Sequence, residues 1–323
     1  MHPTQEALPR SETHLSRSHM RAEVISGLTR RPKVIPSKYF YDERGSRLFD
    51  AITELDEYYP TRTEQAIMEA NVAEMVARIG PKSLLVEYGS GSSRKTRILL
   101  DHLPDLAAYV PIDISREHLL RTAADLSAAY PGLNVLPVCA DYTSGFALPE
   151  VEGPIERVVV YFPGSTIGNF EPGEARAFLE HVAEVAGRGG ALLIGVDLQK
   201  DPAIIEAAYN DKKGVTAAFN KNILAHINRE LDAGFDLDRF GHLAFYDAEH
   251  GRIEMRLVSL SDQCVRIGST RIPFREHEPV LTEYSYKYSL EGFAALAAAA
   301  EFEVVKVWTD PERLFSVQYL EVR

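Results

Sequence analysis

Leu84-Leu85-Val86-Glu87-Tyr88-Gly89-Ser90-Gly91-Ser92 is a short apolar run that ends in an acid, an aromatic and a glycine-punctuated turn. An apolar run of this length bounded by turn residues reads as a strand covered on both faces. The two glycines let the chain turn sharply and bring its backbone closer to a ligand than side-chain-bearing residues allow. Open α/β sheets bind ligands at this carboxyl edge of their strands. A GxG turn is shared with dinucleotide enzymes, but the third glycine of their GxGxxG pattern is replaced here by Arg94.

Outward from this turn, β-rich runs alternate with helical stretches, the pattern of a parallel sheet covered by helices. The expected strands are residues 84–88, 109–112, 135–138, 157–162 and 191–196. The expected helices are residues 95–102, 116–130 and 173–186, the second opened by Ser115 as N-cap with Glu117 in its first turn. Beyond Leu198 a long helical stretch, 202–231, precedes Gly-punctuated alternating strands over 242–288. An Ala-rich helix over 290–300 and two apolar runs, 302–308 and 315–322, then follow as a hairpin that closes the first sheet. The expected division is a mobile tail over 1–20, a substrate-binding domain from 21–61 with 199–287, and a ligand-sheet domain from 62–198 with 288–323.

Composition narrows the chemistry. The 323 residues are 45% hydrophobic and 25% charged, which suits a globular enzyme-sized chain. A formal charge of −12 repels phosphate backbones, so nucleic acid is not expected as a partner. No apolar run approaches the ~20 residues that span a bilayer, and the first twenty residues lack a signal-peptide core, so the expected location is cytoplasmic, without membrane contact. Cys139 and Cys264 are too far apart for a paired motif and read as buried small hydrophobes. His2, His14 and His19 are irregularly spaced in the tail, and no metal is expected. An oligomeric partner is not indicated.

Acids after successive strands identify the ligand class. Asp113 ends the second strand about 20 residues beyond the glycines, where a carboxylate accepts ribose hydroxyls. Asp141 ends the third, suited to an adenine amino group, with Tyr142 beside it for ring packing, and Lys95 is placed to reach a carboxylate. Together with Gly89 these residues point to S-adenosylmethionine as the methyl donor. A phosphate-binding GxxxxGK[ST] loop and a GxSxG nucleophile elbow are both missing from the sequence.

Six further strings extend the reading: Tyr39-Phe40-Tyr41-Asp42, Glu57-Tyr58-Tyr59-Pro60-Thr61-Arg62, Gly164-Ser165-Thr166-Ile167-Gly168-Asn169, Gly214-Val215-Thr216-Ala217-Ala218-Phe219-Asn220, Arg252-Ile253-Glu254-Met255 and Leu281-Thr282-Glu283-Tyr284-Ser285. With the glycine turn they resemble the histidine-specific Nα-methyltransferases of ergothioneine biosynthesis, from about Ser37 to the C-terminus. The resemblance implies an α/β fold: a Rossmann-like S-adenosylmethionine-dependent methyltransferase sheet with an inserted mixed α+β substrate-binding domain. It implies three successive methyl transfers to the α-amino group of L-histidine, giving hercynine. Carried over by motif, Asn169 and Tyr209 hold the substrate carboxylate near Gly164, Tyr41 orients the amine, Glu283 and Ser285 bind the imidazole, and Met255 packs nearby. On the cofactor side the match implicates Tyr58, Gly89, Lys95, Asp113, Asp141 and Tyr142.

The acceptor residues make chemical sense by themselves. Glu283 and Ser285 are two apart on an expected strand, so both face one side while Tyr284 faces the other. A carboxylate and a hydroxyl match the two imidazole nitrogens. An apolar side chain in their place leaves the carboxylate buried and unpaired, at about 3–5 kcal/mol. Two alternatives stay open at this point: a pocket around Met255, Glu283 and Ser285 retuned to another amino acid, and a silent homologue that only binds histidine or S-adenosylmethionine.

Overall fold

The computed structural model describes residues 17–91, 93–143 and 145–323. Residues 1–16, most of the expected tail, lie outside the described residues. The helix α1 (Arg17–Thr29) starts inside that expected tail and buries Met20, Val24 and Leu28, one apolar stripe at helical spacing. The strand β1 (Lys33–Val34) follows, then α2 (Glu43–Thr53), whose N-cap Asp42 accepts from the Gly45 N–H, and α3 (Tyr59–Ile79).

The α/β alternation comes next: β2 (Ser83–Tyr88), α4 (Arg94–Leu100), β3 (Ala108–Asp113), α5 (Arg116–Ala129), β4 (Val138–Cys139), β5 (Arg157–Phe162), α6 (Pro172–Ala186) and β6 (Ala191–Asp197). After β6 the chain forms α7 (Pro202–Tyr209), α8 (Val215–Leu231), β7 (Phe240–Asp247), β8 (Arg252–Ser259), β9 (Gln263–Ile267), β10 (Thr270–Phe274) and β11 (Pro279–Tyr286). It ends in α9 (Leu290–Ala299), β12 (Phe302–Thr309) and β13 (Phe315–Val322).

The large sheet has the order β12-β13-β6-β5-β2-β3-β4. Strands β2 to β6 run parallel, and the C-terminal hairpin closes the edge with β13 antiparallel to β6. This is a Rossmann-like sheet of the kind the resemblance implies. The chain leaves β2 toward β3 on one side and enters β5 on the other, so a crevice opens at the carboxyl ends of β2 and β5. Alternation sorts the side chains of β2: Leu84, Val86 and Tyr88 pack toward α6, whereas Leu85 packs toward α3 and α4.

A second sheet has the order β1-β11-β8-β7, and β9 and β10 pair as a separate hairpin. Its inner face packs on α8, which buries Thr216, Phe219, Asn220, Ile223, Leu224, Ile227 and Leu231 along one side. Each large apolar side chain removed from water there contributes about 1.5–3 kcal/mol.

Several expectations change. The third parallel strand shrinks to Val138–Cys139 because Pro137, with no N–H to give the ladder, interrupts it and leaves Val135 as an isolated bridge to Tyr109. The stretch 202–231 is two helices, since Asp211 accepts the Val215 and Thr216 N–H groups at 2.9 and 2.8 Å and so starts α8 afresh. Ser115 makes no side-chain cap; its own N–H instead donates to Asp113 Oδ1 at 2.9 Å. Cys139 is only half-buried and Cys264 is exposed, against the expectation of two core thiols.

Candidate active site

The crevice at the ends of β2 and β5 is continuous with a chamber between the two sheets. Gly89, Lys95, Asp113, Asp141, Tyr142 and Tyr58 line its outer part. Tyr41, Gly164, Asn169, Tyr209, Met255, Glu283 and Ser285 line its inner part. Tyr41, Tyr58, Gly164, Asn169 and Glu283 face both, so the residues singled out in the sequence lie along one cleft.

The outer part is built on backbone. Gly89 has φ +71°, a left-handed backbone that side-chain-bearing residues rarely adopt, and it lies against the Tyr142 ring. Tyr142 stacks on Tyr88 with centroids 5.5 Å apart, which makes a flat wall. Asp113 accepts the Ser115 N–H at 2.9 Å and the Gly91 N–H at 3.4 Å, clamping the turn. Burial pushes its carboxyl upward, against those hydrogen bonds. Asp141 Oδ1 accepts the N–H and hydroxyl of Thr143 at 3.0 and 2.5 Å. Glu87 lies on the opposite face of β2 from Tyr88 and also borders the crevice; Thr96 and Tyr109 donate to it, and burial holds it up at about 7.

Lys95 forms an ion pair with Glu64, a buried acid of α3 that also receives the Gly164 N–H at 3.0 Å. Glu64 therefore ties α4 to the segment after β5. No sequence signal marks it, because it sits on an otherwise ordinary helix.

The inner chamber is built on side chains from distant elements. Gly168 packs so closely on β11 that a Cβ falls 2.7 Å from the Tyr286 carbonyl oxygen; this contact brings Asn169 beside the chamber. A bulge at Thr282 shifts the register of β11 between Leu281 and Glu283. Thr282 Oγ1 anchors the bulge, 2.8 Å from Asn220 Oδ1 and 2.9 Å from the Met255 carbonyl. Beyond it Glu283, Ser285 and Lys287 share the chamber side, while Arg252 lies 3.7 Å over the Tyr284 ring on the other.

Burial pushes Glu283 up to about 7, opposed by the charge of Lys287. Tyr41 is held well above its ordinary value by burial and by the Glu283 charge, so its hydroxyl keeps its proton. Tyr41, Phe49 and Phe219 contact one another at 5.9–6.0 Å, and Phe49 meets Tyr58 at 6.2 Å, so four rings surround the entrance from the outer crevice. Phe49 was not among the residues expected from the sequence.

Beneath the chamber lies a buried polar group that sequence reasoning missed. Asp197, at the end of β6, receives Lys287 at 2.7 Å, Lys200 at 2.6 Å and the Tyr59 hydroxyl at 2.8–2.9 Å. Burial raises its pKa, but the two lysines outweigh that and hold it below the ordinary carboxylate value. Lys287 in turn donates to Ser285 Oγ at 2.8 Å. The signal that could have found Lys287 is its spacing, two residues beyond Ser285 as Ser285 is beyond Glu283.

Residues 20–322 match the model of the family described as histidine-specific methyltransferase, S-adenosylmethionine-dependent. The chain belongs to that family. The histidine Nα-methyltransferase of Mycolicibacterium smegmatis is 44% identical over 298 residues, 90% of this chain and 91% of that protein. The enzyme of the same name from Mycobacterium tuberculosis is 44% identical over 296 residues, again covering 90% and 91%. Ergothioneine biosynthesis protein 1 of Neurospora crassa is 34% identical over 286 residues, which is 86% of this chain but 32% of that longer protein. As a member of this family the methyltransferase uses S-adenosylmethionine, and the carboxylates, flat wall and Cβ-free turn of the outer crevice fit that nucleoside. Among the described residues no helix is long and apolar enough to cross a membrane, and no group of three or more His, Cys, Asp or Glu is arranged to hold a metal ion.

Proposed function

We propose that the protein transfers methyl groups from S-adenosylmethionine to the α-amino group of L-histidine, three in succession, giving hercynine, a step in ergothioneine biosynthesis. The observation that carries this reading is the inner chamber. A carboxylate and a hydroxyl, Glu283 and Ser285, stand on one side of a strand in a pocket that opens onto the cofactor crevice. They suit the two nitrogens of an imidazole. Asn169 and Tyr209 hold the substrate carboxylate, Gly164 bounds the pocket backbone, and Met255 packs against the ring. On the donor side Asp113 takes the ribose hydroxyls, Asp141 the adenine amine, Tyr142 and Gly89 the ring and its approach, and Lys95 the methionine carboxylate, with Tyr58 at the boundary.

When bound, S-adenosylmethionine supplies an electrophilic methyl on a sulfonium. The protein's part is to bring a neutral amine into line behind it, so positioning and exclusion of water carry the rate. Tyr41 accepts a hydrogen bond from the amine and steers the lone pair. Because its own hydroxyl stays protonated, Tyr41 orients the amine without taking its proton, which is released to solvent before the neutral amine is aligned. Each of the three transfers forms one N–C bond, breaks one S–C bond and follows the loss of one proton, so the product ends as a permanent cation. Tyr41, Phe49, Tyr58 and Phe219 face that cation, each contact contributing about 0.5–2 kcal/mol.

Mass spectrometry of the protein mixed with S-adenosylmethionine and an equimolar panel of amino acids tests this. Histidine alone gains one, two and then three methyl groups. Methylation of another amino acid with histidine untouched defeats the reading.

A further inference from the structure

Lys287 is almost fully enclosed, and its ammonium meets three acceptors: Asp197 Oδ2 at 2.7 Å, Ser285 Oγ at 2.8 Å and the Tyr209 hydroxyl at 3.3 Å. A lysine ammonium has three donors and no acceptor, so its hydrogen-bonding capacity is fully matched. Burial disfavours its charge, but Asp197 more than compensates and holds it above the ordinary lysine value. Lys287 is therefore a permanent donor to both hydroxyls.

Those two hydroxyls are themselves 2.8 Å apart, with the Tyr209 O–H donating to Ser285 Oγ. Counting protons then fixes what they offer a ligand. Each oxygen already receives one lysine proton, one hydroxyl proton is spent between them, and a single O–H is left for the pocket. A substrate carboxylate held at Tyr209 only accepts, so it claims that proton. The hydroxyl pair therefore turns over when that carboxylate binds: Tyr209 donates to the carboxylate, Ser285 donates to Tyr209 in place of accepting from it, and what Ser285 presents to the ring is a lone pair.

We propose that Lys287, anchored by Asp197, is a positioning residue that sets Ser285 as a hydrogen-bond acceptor and Tyr209 as a donor, so that the pocket selects a side-chain ring carrying an N–H toward Ser285. This rests on the histidine reading above and adds what that reading left open, the polarity of the hydroxyl. It explains why a serine suffices for discrimination: without Lys287 its hydroxyl rotates to suit either a donor or an acceptor. It also explains the burial of a full charge behind the pocket, since a neutral group in that place does not force the two hydroxyls into one arrangement.

The control lies on the other side of the same carboxylate. Lys200 donates to Asp197 Oδ1 at 2.6 Å and to the Tyr59 hydroxyl at 2.7 Å, and makes no hydrogen bond to Ser285 or Tyr209. Removing either lysine takes one charge from Asp197, but only Lys287 touches the hydroxyls.

The experiment compares L-histidine with β-(thiazol-4-yl)-L-alanine, whose ring offers an acceptor nitrogen and no N–H, as substrates of the native protein, Lys287→Met and Lys200→Met. The native protein is expected to favour histidine in kcat/KM by at least about 100-fold, the scale of buried hydrogen-bonding groups left unmatched. In Lys287→Met the KM for histidine rises about 30-fold, the Kd for S-adenosylmethionine stays within about 2-fold, and the preference for histidine falls by about 10-fold or more. Lys200→Met keeps the native preference whatever it does to melting temperature. A preference unchanged in Lys287→Met, or lost equally in Lys200→Met, overturns the proposal. Should Lys287→Met not fold, the native protein still decides it, since comparable use of the two substrates contradicts an acceptor at Ser285. Failure of the native protein to methylate histidine at all defeats the histidine reading instead.

Discussion

The outer crevice and the inner chamber recognise their ligands by different means. The crevice is made at consecutive positions of strand ends: a turn that needs Gly89, carboxylates at Asp113 and Asp141, a ring at Tyr142. Asp113 clamps Gly91 and Ser115 across adjacent strand ends. The chamber collects side chains from the segments before α2 and α3, from α7 and α8, from the segment after β5, and from β8 and β11. Its charges are buried and held by partners far away in the chain, such as Tyr59 on Asp197, 138 residues apart. A backbone-built site is a general holder for one nucleoside, whereas a side-chain-built site is where the acceptor is chosen.

That contrast can be broken most forcefully at Glu283. Replacing it by Ala is expected to raise the KM for histidine by about 150- to 5000-fold, the cost of about 3–5 kcal/mol when one partner of a buried charged pair is lost. Steady-state kinetics with varied histidine measures it.

The same residue gives a stability signature. Its pKa is raised from 4.5 to about 7, so the folded protein keeps a proton that the unfolded chain gives up. The favourable contribution is fully present below pH 4.5 and is lost as pH rises through about 7. Glu283→Gln removes this loss, so without ligands it should be more stable than the native protein above pH 7 by up to about 3 kcal/mol. Below pH 4.5 the two should match. Thermal melts across that range read the difference.

On the crevice side, Asp113→Ala is expected to weaken S-adenosylmethionine binding by about 10- to 100-fold, as for hydrogen bonds to a charged group. The smallest effect is expected of Tyr41→Phe, a loss in kcat of about 10-fold for one hydrogen bond. Because Tyr41 keeps its proton, the pH–rate profile should retain its shape; a lost limb would make Tyr41 a proton acceptor instead.

How much was legible in the sequence follows the same division. The turn at Gly89, the acids Asp113 and Asp141 and most parallel strands are written as local patterns, and local geometry realises them. Where a local pattern misled, a single residue overrode it: Pro137 cut short the third strand, and Asp211 restarted a helix that reads as continuous. The chamber was legible only through the motif resemblance, because nothing local brings Asn169, Tyr209 and Ser285 together. Glu64, Phe49, Asp197 and Lys287 escaped notice for this reason. Their roles are created by packing between elements; the two-residue spacing from Ser285 marks Lys287, whereas a buried acid such as Glu64 or Asp197 carries no mark in the sequence until its partner is known.

The most direct test of this division is a calorimetric titration of S-adenosylmethionine, and of histidine in the presence of S-adenosylhomocysteine, into the native protein, Glu283→Ala and Asp113→Ala. The expected pattern is crossed: Glu283→Ala loses histidine and keeps the cofactor within about 2-fold, while Asp113→Ala has its principal loss, of about 10-fold or more, in the cofactor. Equal losses of both ligands in both variants would contradict it.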